Sequence, residues 1–93
     1  MAGPSFEWDE AKNRSNQKKH HVSFEEAKTV FFDEGALIAS DPDHSEDEDR
    51  FLTFGQSSAS RVLVVSHTDP GDRTRVISAR RVTPQERKAY EER

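Results

Sequence analysis

The chain of 93 residues contains no cysteine, which excludes disulfides, thiol catalysis and thiolate metal ligands and fits a reducing compartment. It has no apolar run approaching the roughly 18 to 20 residues that span a bilayer. Its first residues, Met1-Ala2-Gly3-Pro4-Ser5, lack the basic start and apolar stretch of a signal peptide. A soluble, cytoplasmic protein without membrane association is therefore expected. A basic balance is missing as well: the net charge is -4 and the pI near 5.5, whereas a general nucleic-acid binder is expected to be basic. Gly-rich phosphate loops, Ser-His-Asp arrangements, internal repeats and low-complexity segments are also absent. At this length a single domain, 1–93, is expected, burying only about 60 to 65% of its unfolded surface.

The charge that is present is unevenly placed. Residues 12–28 and 50–81 carry +3 and +4, while 29–49 carry -8. A folded domain can bring the basic blocks together and turn the acidic one away. The densest basic feature is Arg73, Arg75, Arg80 and Arg81 around the apolar run Val76-Ile77-Ser78-Ala79. Guanidinium forks match phosphate oxygens, so a phosphate-rich partner is the first hypothesis. In a regular strand Arg75, Ile77, Ala79 and Arg81 share one face, with Val76, Ser78 and Arg80 on the other. The four arginines then cannot line one site, and Arg73 and Arg81 read as surface charges. The acidic run from Asp41 to Asp49 is not a calcium loop. An EF-hand starting at Asp41 needs glycine where Glu46 stands and glutamate where Leu52 stands. It reads as a solvated loop, with His44 and Glu48 at most an adventitious metal site.

Capping signals and hydrophobic period predict two N-terminal helices, four antiparallel strands and a short closing helix, an α+β domain with the helices on one face of the sheet. Asp9 is the N-cap of a first, weakly amphipathic helix to about His20. Ser23-Phe24-Glu25-Glu26 fits a capping box for a second, with Phe24, Ala27 and Phe31 on one face and Gly35 as its stop. Strands are expected at Ala36–Ala39, Arg50–Phe54, Arg61–His67 and Thr74–Arg80, the third central because Val62-Leu63-Val64-Val65 is the longest apolar run. Asp69-Pro70-Gly71-Asp72 marks a tight turn. Thr83-Pro84-Gln85-Glu86 opens the last helix with a second capping box and proline at its first position.

Trp8-Asp9, Lys12, Asn16, Lys19-His20, Val22, Phe24, Ala27, Val30-Phe31 and Asp33 are followed by Asp43-His44, Glu48, Arg50 and Gly55. Ile77-Ser78-Ala79-Arg80, Glu86-Arg87 and Tyr90 complete a pattern that resembles the BrnT family, the toxin half of a bacterial type II toxin-antitoxin pair, over about residues 6 to 92. The resemblance implies a RelE-like fold and a metal-independent ribonuclease, without cofactor, that cleaves RNA and inhibits translation. It also implies neutralisation by a small ribbon-helix-helix, BrnA-like antitoxin, with operator DNA bound only through that antitoxin. The chain departs from the pattern at His21, where many relatives have glycine, and at Pro70, in a turn often occupied by a basic residue. Histidine tolerates positive φ better than most residues, so His21 is expected to take the left-handed bend.

Metal-free RNA cleavage activates the 2′-OH as nucleophile, so it needs a base, cations for the phosphorane and an acid for the leaving 5′ oxygen. Among the candidate catalytic residues Lys19, His20, Arg50, Arg75 and Arg80, the arginines are phosphate clamps and poor proton acceptors. His20 is the best base or acid. Lys19 is the second proton-transfer candidate, a role an ammonium fills where its surroundings disfavour the charge. Each has a bland alternative: Lys19 and His20 complement the C-terminal end of the first helix, and Arg50 pairs with Glu48 or another nearby acid. Trp8, Phe24 and Phe31 read as core, and Tyr90 as packing under the last helix. The competing function is a non-enzymatic, degenerate toxin-like partner that tunes operator binding by its antitoxin.

Overall fold

The structure, a computed structural model, describes residues 5–41 and 49–93. The expected acidic loop, with Asp43, His44 and Glu48, lies outside the described residues apart from its ends, Asp41 and Asp49. Strand β1 (Ser5–Glu7) is followed by helices α1 (Glu10–His20) and α2 (Phe24–Thr29), a 3₁₀ turn at Val30–Phe32, and strands β2 (Leu37–Ser40), β3 (Arg50–Gln56), β4 (Val62–Thr68) and β5 (Arg73–Arg81). Helix α3 (Pro84–Glu91) comes last. The strands form one five-stranded sheet in the order β1-β5-β4-β3-β2, so the apolar strand β4 is central as expected.

The expected four-stranded antiparallel sheet is corrected by β1, which pairs parallel with β5 through Ser5–Arg73, Phe6–Thr74 and Glu7–Arg75. Three residues carry no readable period, and a parallel partner nearly seventy positions away leaves no local trace in sequence. Phe6 still reaches the core, where it, Trp8 and Phe31 pack against Val22, Phe24, Ala27, Val30, Leu63, Val65, Val76 and Ala79. Complete burial of a side chain such as Phe24 contributes about 1.5 to 3 kcal/mol.

Local signals set the helix starts. The Asp9 carboxylate accepts from the N–H groups of Ala11 and Lys12, and the Ser23 hydroxyl from that of Glu26. The complete capping box forms only at Thr83–Glu86. At α2 the reciprocal half is replaced by tertiary contacts, because the Glu26 carboxylate takes Ser57 Oγ at 2.7 Å and the Arg61 guanidinium. Gly35 does not end α2 either: the helix tightens into the 3₁₀ turn after Thr29. His21 adopts the left-handed conformation, φ 59° and ψ 32°, with its N–H bonded to Gln17 O. Arg61 then donates to the His21 carbonyl at 3.1 Å.

Helix α1 has no apolar face; its only buried side chains are Asn13 and Asn16. β1 covers the edge of β5 only as far as Arg75, and α1 occupies that edge farther along. The Asn16 amide donates at 2.8 Å to both Val22 O and Ala79 O and accepts from Ala79 N at 3.1 Å, while Asn13 Oδ1 accepts from Phe24 N at 2.9 Å. A side-chain amide thus replaces the missing strand and protects the sheet edge. Gly55 allows the 3₁₀ turn to cross β3: a Cβ there would come within 2.9 Å of Val30 Cγ1.

Candidate functional site

The register of β5 decides which arginines share a face. Ser66 opposes Ser78, but His67 opposes Val76, so Ile77 is the extra residue of a β-bulge. Val76 and Ala79, three apart, therefore both face the core. Arg75, Ser78 and Arg80 leave the opposite face, as partners of Thr68, Ser66 and Val64. This corrects the expected alternation, which separated Arg75 from Arg80 and grouped Arg75 with Ala79. A bulge changes phase by one residue, and no residue in Val76-Ile77-Ser78-Ala79 announces it.

On that outer face a cleft of about 230 Å³ is lined by His20 from α1, Leu52 from β3, Val64 and Ser66 from β4, and Ser78, Ala79 and Arg80 from β5. An adjoining hollow of about 270 Å³ runs along α1 past Lys12, Ser15, Asn16, Lys19 and His20 to Ile77 and Ser78. Lys19, His20 and Arg80 thus come together although sixty residues separate them in the chain. Asn16, by pinning α1 to Ala79, sets the position of His20 against Arg80. Partial burial, and then the positive charges of Lys19, Arg80 and His21, lower the His20 pKa from its ordinary 6.5. The ring is consequently neutral at neutral pH and available as a base.

Arg80 is not idle. Its Nη1 and Nη2 donate to the Glu86 carboxylate at 2.9 and 3.0 Å, and Nη1 also donates to Arg81 O at 3.2 Å. Glu86 simultaneously accepts from Thr83 N at 2.8 Å to cap α3. The arginine's hydrogen bonds pull the Glu86 pKa down to about 2, and Glu86 in turn holds Arg80 more firmly protonated. The start of α3 is therefore tied to β5 through Arg80. Tyr90, buried as expected, fixes the other end of α3 through its hydroxyl to Asp33.

Arg50 and Arg75 do not line the cleft. Arg75 Nε donates to Glu7 at 2.7 Å, and Arg73 bonds the same carboxylate at 2.8 Å. Arg50 begins β3 opposite Thr68, and its suggested partner Glu48 lies outside the described residues. Glu86, Asn16 and the cleft hydroxyls of Ser66 and Ser78 were not among the expected site residues. Asn16 and Glu86 stood in the family-like pattern, and each had a local signal, an asparagine inside a polar helix and a glutamate at the third position of a capping box, but none of these pointed to a contact with β5. Among the described residues, no group of three or more His, Asp or Glu side chains gathers to hold a metal ion.

A family model described as the ribonuclease toxin BrnT of type II toxin-antitoxin systems matches residues 8–86. Among solved structures, the 1.1 Å crystal structure of the Brucella abortus ribonuclease toxin BrnT aligns with a TM-score of 0.64 and 20% identity, covering 87% of this chain and 99% of that one. At that identity the likeness concerns the fold. No curated protein matched the chain.

Proposed function

Because the chain belongs to the BrnT family of ribonuclease toxins of type II toxin-antitoxin systems, we propose that it is a metal-independent endoribonuclease whose active centre is the cleft between α1 and β5. The observation that carries this reading is the meeting of His20 with Arg80 across the edge of the sheet. His20, neutral at physiological pH, takes the proton of the RNA 2′-OH as that oxygen attacks the adjacent phosphorus. Arg80 and Lys19 stabilise the charge that accumulates on the phosphorane. The 5′ oxygen leaves with a proton returned by the imidazolium or by Lys19. Cleavage of RNA inhibits translation, and a ribbon-helix-helix antitoxin neutralises the toxin and alone carries the contact with operator DNA.

The expected test outcome is cleavage of single-stranded RNA by the purified chain in EDTA. Arg80→Ala lowers kcat about 10² to 10³-fold while circular dichroism shows a folded protein, and His20→Ala removes the acidic limb of the pH-rate profile. RNA left intact across a broad substrate panel sinks the enzyme reading. The grip of Glu86 on Arg80 favours one alternative, a non-enzymatic partner in which the arginine only anchors α3. Under that reading Arg80→Ala loses thermal stability and antitoxin affinity, with no cleavage in either protein.

A further inference from the structure

We propose that Glu86 is a positioning residue for Arg80: by taking the end of the guanidinium it leaves the side of the fork, Nε–H with the neighbouring Nη2–H, as the seat of the scissile phosphate. The identity of that ligand rests on the ribonuclease reading above. A guanidinium carries five N–H groups in one plane. In Arg80, Nη1 donates to Glu86 Oε1 at 2.9 Å and to Arg81 O at 3.2 Å, which spends both of its hydrogens, and Nη2 donates one to Glu86 Oε2 at 3.0 Å. Nε–H and the second Nη2–H have no partner among the described residues. These two bonds point the same way and suit two oxygens of one phosphate.

Arg61 shows the opposite use of the same fork. Its Nε donates to Glu26 Oε2 at 2.9 Å, and its Nη2 to Glu26 Oε1 and, at 3.1 Å, to His21 O. That side is spent inside the fold, so Arg61 fastens α2 and offers no such seat to an anion. At Arg80 the carboxylate arrives end-on instead. Neither Glu86 nor Arg81 lines the cleft that Arg80 shares with His20, so the occupied end is turned away from it and the open side remains for the cleft.

The carboxylate that holds Arg80 is itself held. Glu86 Oε1 accepts from Thr83 N at 2.8 Å, and Glu86 N donates to Thr83 Oγ1 at 3.2 Å, the capping box that starts α3. The helix start therefore sets the place of the carboxylate, and the carboxylate sets the direction of the arginine. Donors fixed in this way need no reorganisation as charge develops on the phosphorane. The Arg80–Glu86 pair is neutral as a whole, so the attraction of RNA from a distance falls to Lys12 and Lys19 along the adjoining hollow. Arg80 contributes its donors at contact.

The test is a double-mutant cycle on the cleavage of single-stranded RNA by the full chain in EDTA. Glutamine at the third position still closes a capping box, so Glu86→Gln keeps the helix start and loses the ionic grip on Arg80. It is expected to lower kcat about 10 to 10²-fold, with KM equal or lower because a negative charge has left. In the Arg80→Ala background the same substitution is expected to change kcat by less than about twofold, since nothing is left to position. Equal losses in both backgrounds overturn the role and leave Glu86 purely structural. A kcat at or above that of the wild type also overturns it, and makes Glu86 a competitor of the phosphate. A second measurement uses the wild-type chain and depends on no variant: the NMR resonance of the Arg80 Nε–H, titrated with a short 2′-O-methyl oligouridine, which lacks the free 2′-OH that cleavage requires. The resonance is expected to shift and its exchange with water to slow about tenfold or more. An Nε–H left unchanged by the bound oligomer overturns the seat, and so does failure of the oligomer to bind. Protection of the Nε–H in a wild-type chain that cuts no RNA supports the seat and refutes the ribonuclease reading instead.

Discussion

Two histidines show how placement separates chemistry from structure. His67 is 2% exposed, with Nε2 at 2.7 Å from Thr53 Oγ1 and Nδ1 at 2.9 Å from Asp69, and Phe31 meets its ring edge-on. It is a satisfied core histidine, which burial keeps neutral by lowering its pKa. His20 is half-buried beside a cleft, and its pKa is lowered by desolvation first and then by Lys19, Arg80 and His21. Lys19→Ala should therefore bring the His20 titration back toward 6.5 without reaching it, because the desolvation and two of the positive neighbours remain. An imidazole NMR titration checks the direction; a pKa that stays put or falls would contradict the proposed contact between Lys19 and the base. That His20 belongs with Lys19 was readable from adjacency in sequence. That Arg80 joins them was suggested by the family-like run, but the physical cause, an amide clamp on the strand edge, lies in Asn16.

At the scale of elements, α1 is the least conventional part of the fold. It docks by amide hydrogen bonds, not by an apolar stripe. Asn16→Ala leaves Val22 O, Ala79 O and Ala79 N without their partner, and each buried group so orphaned costs about 1 to 3 kcal/mol unless water reaches it. At the low end of that range the three groups together cost about 3 kcal/mol in urea unfolding, large for so small a domain. His20 should also lose its lowered pKa as the helix end loosens. Asn16→Asp discriminates the role: it keeps the acceptor for Ala79 N but loses the donor to both carbonyls, and should be nearly as damaging. The weak amphipathicity of this segment was plain in the sequence, and its explanation was not, since a docking asparagine looks like any exposed one until its partners sixty positions away are known.

For the whole molecule, the shifted groups prescribe acid sensitivity in stages. His67 has a folded pKa below its unfolded value, so the unfolded chain binds more protons as pH falls below about 6.5 and stability begins to decline there. Glu26, Asp33 and Glu86 are depressed by their hydrogen bonds to Arg61, to the Gln56 N–H and Tyr90 hydroxyl, and to Arg80. Their contribution is complete above the ordinary carboxylate range and is lost as pH falls, for Glu86 down to about 2. Melting temperature should fall from neutral pH downward, and His67→Gln should lessen the fall above pH 5, His20 keeping its own share, while leaving the carboxylate part. A stability maximum below pH 5 would refute this assignment. The sequence by itself determined what depends on neighbours a few positions away: the caps at Asp9, Ser23 and Thr83, the left-handed bend at His21, the Gly71 turn, and the four longer strands. Those are set by backbone sterics and by hydrogen bonds within one turn, so they are written locally. Only the tertiary structure decided the parallel β1, the bulge at Ile77, the helix docked by Asn16 and the capture of Arg80 by Glu86. Each depends on register between distant segments, where a shift of one residue moves every side chain to the other face, and that register is settled by the packing of the whole core.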